Sequence, residues 1–298
     1  MCKDGEFDGR DLPRFNRRQF AALSGSAALV ACTGMDGGAG AALGEAVRGP
    51  SLAESSVTIA TPDGQADAFF VHPASGRHPA VLLWPDIAGL RDAFRMMARR
   101  LAERGYAVLV VNPYYRDVAG EQFEDFAAFR AGGGFDKVGP WRGKHTAEPI
   151  MRDARALVGW LDRQASVDTA RGVGTQGYCM GGPFTVWTAA AVPSRVEAAA
   201  SFHGGGLVDE GNSLSPHNLF EQTPDTAYLI AIAQNDDAKD PEVKTVLRRA
   251  AEAADVRAEI EVYPADHGWT VPDSPAYDRA AAERAWMELM ELYTAELS

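Results

Sequence analysis

From Val57 onward the chain repeats one unit: a short, continuously apolar run, then a helical segment with a single apolar face. "PAVLLWPD" leads into "RDAFRMMARRLAERGY", and "AVLVVNP" follows at once. Runs of Val, Leu and Ala without polar alternation suit strands covered on both faces, as in a parallel sheet flanked by helices. The later segments keep the pattern. "MRDARALVGWLDRQ" reads as a helix, and "RGVGTQ", "EAAASF" and "TAYLIAIA" read as strands. "PEVKTVLRRAAEAA" and "SPAYDRAAAERAWMELMELYTAEL" are amphipathic helices, with the strand "RAEIEVYP" between them. Ahead of all these, "SVTIATPDGQADAFFVHP" places two β-rich runs around Pro62-Asp63-Gly64 and predicts an N-terminal hairpin. The fold class expected is α/β, with a mainly parallel sheet and helices on both faces.

Two regions break the alternation. Residues 117–148 are rich in Gly and aromatics and predict a surface excursion or lid over the strand ends. Residues 1–32 read as an address: Arg17-Arg18 and Phe20 precede a weakly apolar stretch, the pattern of a twin-arginine export signal. That signal places the protein in the periplasm or cell envelope. "LVAC" resembles a lipoprotein cleavage box, which would make Cys32 an acylated anchor; cleavage in "GAGAA" would instead free the protein. Residues 33–55 read as a flexible linker and residues 56–298 as one domain.

With a formal net charge of -12, the chain is a poor partner for nucleic acid or an anionic membrane surface. It has no apolar run long enough for a membrane span. Cys2, Cys32 and Cys179 are too few for a disulfide framework, and no C-x-x-C is present to support thiol-redox chemistry.

Cys179 stands out. In "VGTQGYCMGGPF" a β-prone run stops, Gly177 and Gly181 bracket the cysteine, and a helix-compatible segment follows. This is the nucleophile elbow, G-x-nucleophile-x-G, whose small residues let the helix pass close to the strand. Ligands of open α/β sheets bind beyond such carboxyl ends. A nucleophile there needs a base, delivered later in the chain. Of His203, His217 and His267, only His267 follows the last predicted strand, in "VYPADHGWTVP". The acid should leave "LIAIA" in "QNDDAKDP", where Asp236 comes first and Asp237 and Asp240 remain available. The Met180 amide, next after the nucleophile, and an amide of "WPDIAGL", best Ile87, are the expected oxyanion donors. "SFHGGGL" spells a lipase oxyanion motif but comes after the nucleophile, so His203 is left as a pocket-lining or turn residue. The chemistry expected is acyl transfer through a thioester; the alternative is a ligand-binding protein on a hydrolase scaffold, its elbow inactive.

The markers "PDIAGLRDAFRMMARRLAERGYAVLVVNPYYR", "GYCMGG", "SFHGG" and "YPADHGWTVP" resemble those of the dienelactone hydrolase family, across most of the chain beyond the leader. The resemblance implies an α/β-hydrolase fold and a Cys179-Asp236-His267 triad, with Ile87 and Met180 amides as oxyanion donors. It also implies a small ester or lactone substrate and no metal or organic cofactor. Asp86 stands where familiar members place a Glu touching the resting cysteine. Tyr115 and Arg116 match an aromatic-and-arginine stretch that contacts a substrate carboxylate. Gly268 stands where dienelactone-binding members often carry Ser.

Overall fold

The computed structural model describes residues 50–298; the leader, Cys2, Cys32 and most of the expected linker lie outside the described residues. Among the described residues, eight strands form one sheet in the order β1-β2-β4-β3-β5-β6-β7-β8. β1 (Leu52–Thr61) and β2 (Gly64–Pro73) form the predicted hairpin, with Thr61 opposite Gly64 across a Pro62-Asp63 turn. β2 is also antiparallel to β4 (Ala107–Val111). The rest are parallel: β3 (Ala80–Trp84), β4, β5 (Val173–Tyr178), β6 (Val196–Phe202), β7 (Ala227–Ala233) and β8 (Ala258–Tyr263). β1 begins at Leu52, so the last four residues expected in the linker are strand. Leu52 and Ala53 are followed by exposed Glu54 and Ser55, too short an apolar run to mark a strand.

Side chains alternate across the sheet and feed two core layers. Leu82, Trp84, Leu109 and Val111 pack under α4 (Ala147–Leu161), α5 (Gly182–Ala191) and α7 (Val243–Ala253). Val81, Leu83, Val108 and Val110 pack under α1 (Asp92–Ala102) and α8 (Arg279–Glu296). α8 starts five residues later than its apolar pattern suggested, because Asp278 accepts a hydrogen bond from Ala281 N at 2.9 Å and caps it.

The excursion holds two short helices, α2 (Phe126–Ala131) and α3 (Gly134–Arg142). Parts of it reach the strand ends. His145 stacks on Tyr114, just past β4, with ring centroids 5.2 Å apart, and Phe126 N donates to Asp273, beyond β8, at 3.0 Å. Among the described residues, no helix is long and apolar enough to cross a membrane.

Candidate active site

β5 ends in a sharp turn: Cys179 takes φ +52°, a left-handed conformation costly for a side-chain-bearing residue, and α5 starts three residues later. Such a backbone persists only where packing enforces it. A Cβ on Gly177 would lie 2.0 Å from the Gly181 carbonyl oxygen, and one on Gly181 would lie 2.6 Å from the Trp84 and Pro85 oxygens. The elbow is thus wedged between its own strand and the end of β3. Cys179 is half-buried, and Gly205 N donates to its carbonyl at 3.3 Å.

The expected acid and base meet. His267 Nδ1 donates to Asp236 Oδ2 at 2.5 Å, and His267 N donates to Asn235 Oδ1 at 2.9 Å. The segment expected as a loop after β7 is a short helix, α6 (Gln234–Lys239), which presents Asp236 in its first turn. Asp237 is engaged by Lys244 instead, and His217 bonds Ser215 Oγ at 2.9 Å, outside this arrangement. Burial opposes a charge on the His267 ring. The hydrogen bond to Asp236, with the pull of the nearby Cys179 and Asp236 side chains, outweighs it and pushes its pKa up to about 10. Burial likewise opposes the Asp236 charge, but the hydrogen bond and field of His267, helped by Lys239, keep its pKa below the usual value. Asp236 and His267 therefore form one hydrogen-bonded pair.

Around the elbow, Asp86 to Gly89 form a β-turn, with Gly89 N donating to Asp86 O at 3.0 Å. The Ile87 amide donates to no acceptor among the described residues. Its carbonyl accepts from Tyr114 Oη at 2.7 Å, and the same hydroxyl lies 3.4 Å from Met180 Sδ. Met180 N opens the helical turn, where amides have no intrahelical acceptor. Tyr114 thus ties the two expected oxyanion loops together. It is the neighbour of the tyrosine singled out from the sequence, and nothing in "PYYR" favoured one over the other.

The pocket residues expected from the resemblance have partners within the chain. Asp86 oxygens accept from Arg91 Nη1 and Nη2 at 2.7 and 2.9 Å. Tyr115 and Arg116 are paired as well. Tyr115 Oη donates to Asp153 Oδ1 at 2.5 Å, while Arg116 binds Asp63 Oδ2 and Asp153 Oδ1, each at 2.8 Å, joining the hairpin turn to α4. His203 is 1% exposed and takes φ +42°; its Nε2 pairs with Thr270 Oγ1 at 3.0 Å and its ring faces His267 at 4.9 Å. It packs behind the base rather than lining a pocket, and burial, reinforced by the adjacent His267 charge, lowers its pKa far enough to keep it neutral. Gly268 takes φ +101°, a conformation that disfavours the serine of the resemblance.

A mainly parallel sheet, a cysteine on a left-handed strand-to-helix turn, and a His–Asp pair on later connections define an α/β hydrolase. The dienelactone hydrolase family model matches residues 66–297. The chain belongs to the dienelactone hydrolase family, and this membership makes it an enzyme of the ester and lactone hydrolase class. A Rhodococcus opacus carboxymethylenebutenolidase is 26% identical over 253 residues, covering 82% of this chain and 92% of that protein. A Synechocystis sp. protein, named provisionally as the same enzyme, is 28% identical over 251 residues, covering 81% and 96%. A Klebsiella pneumoniae structure, provisionally a dienelactone hydrolase, superposes with a TM-score of 0.67 at 23% identity, covering 82% of this chain and 99% of that one.

Proposed function

We propose that the chain hydrolyses a small carboxylic ester or lactone through a thioester on Cys179, with His267 as base and Asp236 as its orienter. The observation that carries this reading is the 2.5 Å His267–Asp236 hydrogen bond on a ring that also interacts with Cys179. With Nδ1 held by Asp236, Nε2 is the nitrogen left to take the thiol proton.

The thiol proton sits on Nε2, in the imidazolium form that the raised His267 pKa favours, and the sulfur it has left bonds to the carbonyl carbon. The Ile87 and Met180 amides receive the developing oxyanion. The carbon–oxygen bond to the alcohol breaks, and that oxygen leaves with the proton from Nε2. Water then gives a proton to Nε2 and attacks the thioester carbon; the carbon–sulfur bond breaks and the proton stays on Nε2, which restores the starting pair. For a lactone, the alcohol stays tethered to the acid, and the product is a hydroxy acid or its tautomer.

The test is Cys179→Ala on p-nitrophenyl acetate and simple lactones, beside acid-quenched mass spectrometry of the unaltered protein. Turnover should fall by about a thousandfold or more, and one acyl group should appear on the Cys179 peptide. Full activity in the variant would refute the reading.

A further inference from the structure

Arg91 is wholly buried, with 0% exposure, and carries a charge that the proposed reaction does not use. All five of its N–H donors are satisfied. Nη1 donates to Asp86 Oδ1 (2.7 Å) and Gly89 O (3.3 Å), Nη2 to Asp86 Oδ2 (2.9 Å) and Asp273 Oδ1 (2.7 Å), and Nε to Asp273 Oδ2 (2.7 Å). The guanidinium lies 4.9 Å from the Phe94 ring centroid and 5.7 Å from that of Phe126. Asp273 Oδ2 also accepts from Phe126 N. One cation therefore joins the turn bearing the Ile87 amide, the segment following His267, and the start of α2.

These attachments are unequal. The histidine segment has other anchors: Gln234 N to Ala265 O at 3.0 Å, Gln234 Nε2 to Asp266 Oδ1 at 3.1 Å, and the Asn235 and Asp236 bonds to His267. For residues 86–89 the hydrogen bonds from outside the turn are, among the described residues, those of Arg91 and the Tyr114 hydroxyl. Asp86 Oδ1 bonds Ala88 N at 2.9 Å within the turn, so the carboxylate that Arg91 grips also shapes the peptide carrying the Ile87 amide.

Resting on the reading above, we infer that Arg91 is a positioning residue for the oxyanion site, using Asp273 as a fixed post to aim the Ile87 amide. Thioester formation draws on that amide; alkylation of the cysteine by iodoacetamide, a displacement at a saturated carbon, builds no oxyanion. The two reactions separate the roles.

The experiment measures single-turnover acylation by p-nitrophenyl acetate and iodoacetamide alkylation of Cys179 across pH. It uses the unaltered protein, Arg91→Met and Asp273→Asn, each checked by thermal melting. Acylation should fall about 10–100-fold in Arg91→Met and by a smaller factor in Asp273→Asn. Alkylation should stay within about twofold, with the same pH profile. Equal acylation in all three proteins, or acylation and alkylation falling together, would overturn the inference; so would a failure of both variants to fold, which assigns the clamp to stability alone. Should Arg91→Met alone fail to fold, Asp273→Asn decides. Absence of acylation at Cys179 in the unaltered protein would instead sink the proposed function, and the inference with it.

Discussion

Adding one methyl group at Gly177 tests whether close packing enforces the elbow. The new carbon would lie 2.0 Å from the Gly181 carbonyl oxygen, 2.6 Å from its carbon and 3.0 Å from Thr185 Cγ2. Non-bonded heavy atoms settle at about 3.5 Å, so the Gly181 carbonyl must retreat by roughly an ångström or more. The atom that must move is backbone rather than a mobile side chain, and residue 181 is itself closely packed: a Cβ built there would lie 2.6 Å from the Trp84 and Pro85 oxygens. Overpacking of this kind costs about 1–3 kcal/mol, and the blocked escape argues for the upper end. At about 2–4 °C per kcal/mol in a domain this large, Tm should drop by roughly 6–12 °C. Displacing the Cys179 sulfur by about an ångström should lower kcat/KM about 100-fold. Gly205→Ala is the matched control: it neighbours the same turn, but a Cβ there meets nothing within 4 Å. Its Tm should stay unchanged or rise slightly, as the unfolded chain loses freedom. Thermal denaturation followed by circular dichroism, with p-nitrophenyl acetate kinetics, reads both effects. A Gly177→Ala protein melting within about 2 °C of the parent, at a comparable rate, would show that the turn is not wedged.

Replacing Asp236 by Asn keeps the shape but removes the charge that fixes and stabilises the His267 ring; kcat should fall about 10²–10⁴-fold with little change in KM, and a loss under threefold would dismiss Asp236 as the orienter. Burial pushes the His145 pKa down to about 4, against the pull of the Pro113 carbonyl, with Arg116, Asp117 and Arg142 as the nearby charges. Its folded pKa lies below the unfolded value of about 6.5, so its neutral form contributes stability above that value, lost as pH falls toward 4, by at most about 3 kcal/mol. The parent should therefore lose more Tm between pH 7 and 5 than His145→Gln does, and parallel losses would show that this histidine is already solvated.

The parallel strands were legible because burial on both faces leaves only apolar residues to choose from: "AVLLW", "AVLVV" and "AYLIAIA" appear as β3, β4 and β7. The elbow was legible for a related reason, since two glycines around one side chain mark where backbone must approach backbone. The missed features lack such forcing. "QNDDAK" is too short and acidic to show helical periodicity, yet six residues suffice to present Asp236. Asp273 lies 182 residues from Arg91, and no local pattern links them. His145 sits in a segment without regular alternation, so its stacking on Tyr114 left no trace in the sequence.

The arginines carry the more general point. By the family resemblance Arg116 is expected to contact a substrate carboxylate, while nothing in the sequence singles out Arg91. The structure pairs both with carboxylates of the chain, and the reason is electrostatic. A guanidinium leaving water loses solvation worth several kcal/mol and is tolerated only where carboxylates replace it. Arg116 finds Asp63 and Asp153; Arg91 finds Asp86 and Asp273. Arg116 joins the hairpin turn to α4, and Arg91 joins its adjoining turn to the segment beyond β8, so each works as a clamp between elements. Asp86, aligned by resemblance with a residue that touches the cysteine, is held by this rule as well: with Arg91 buried beside it, both its oxygens are committed. Whether a charged residue near an active site serves the substrate or the scaffold is thus settled by burial and pairing, which depend on contacts across the whole chain.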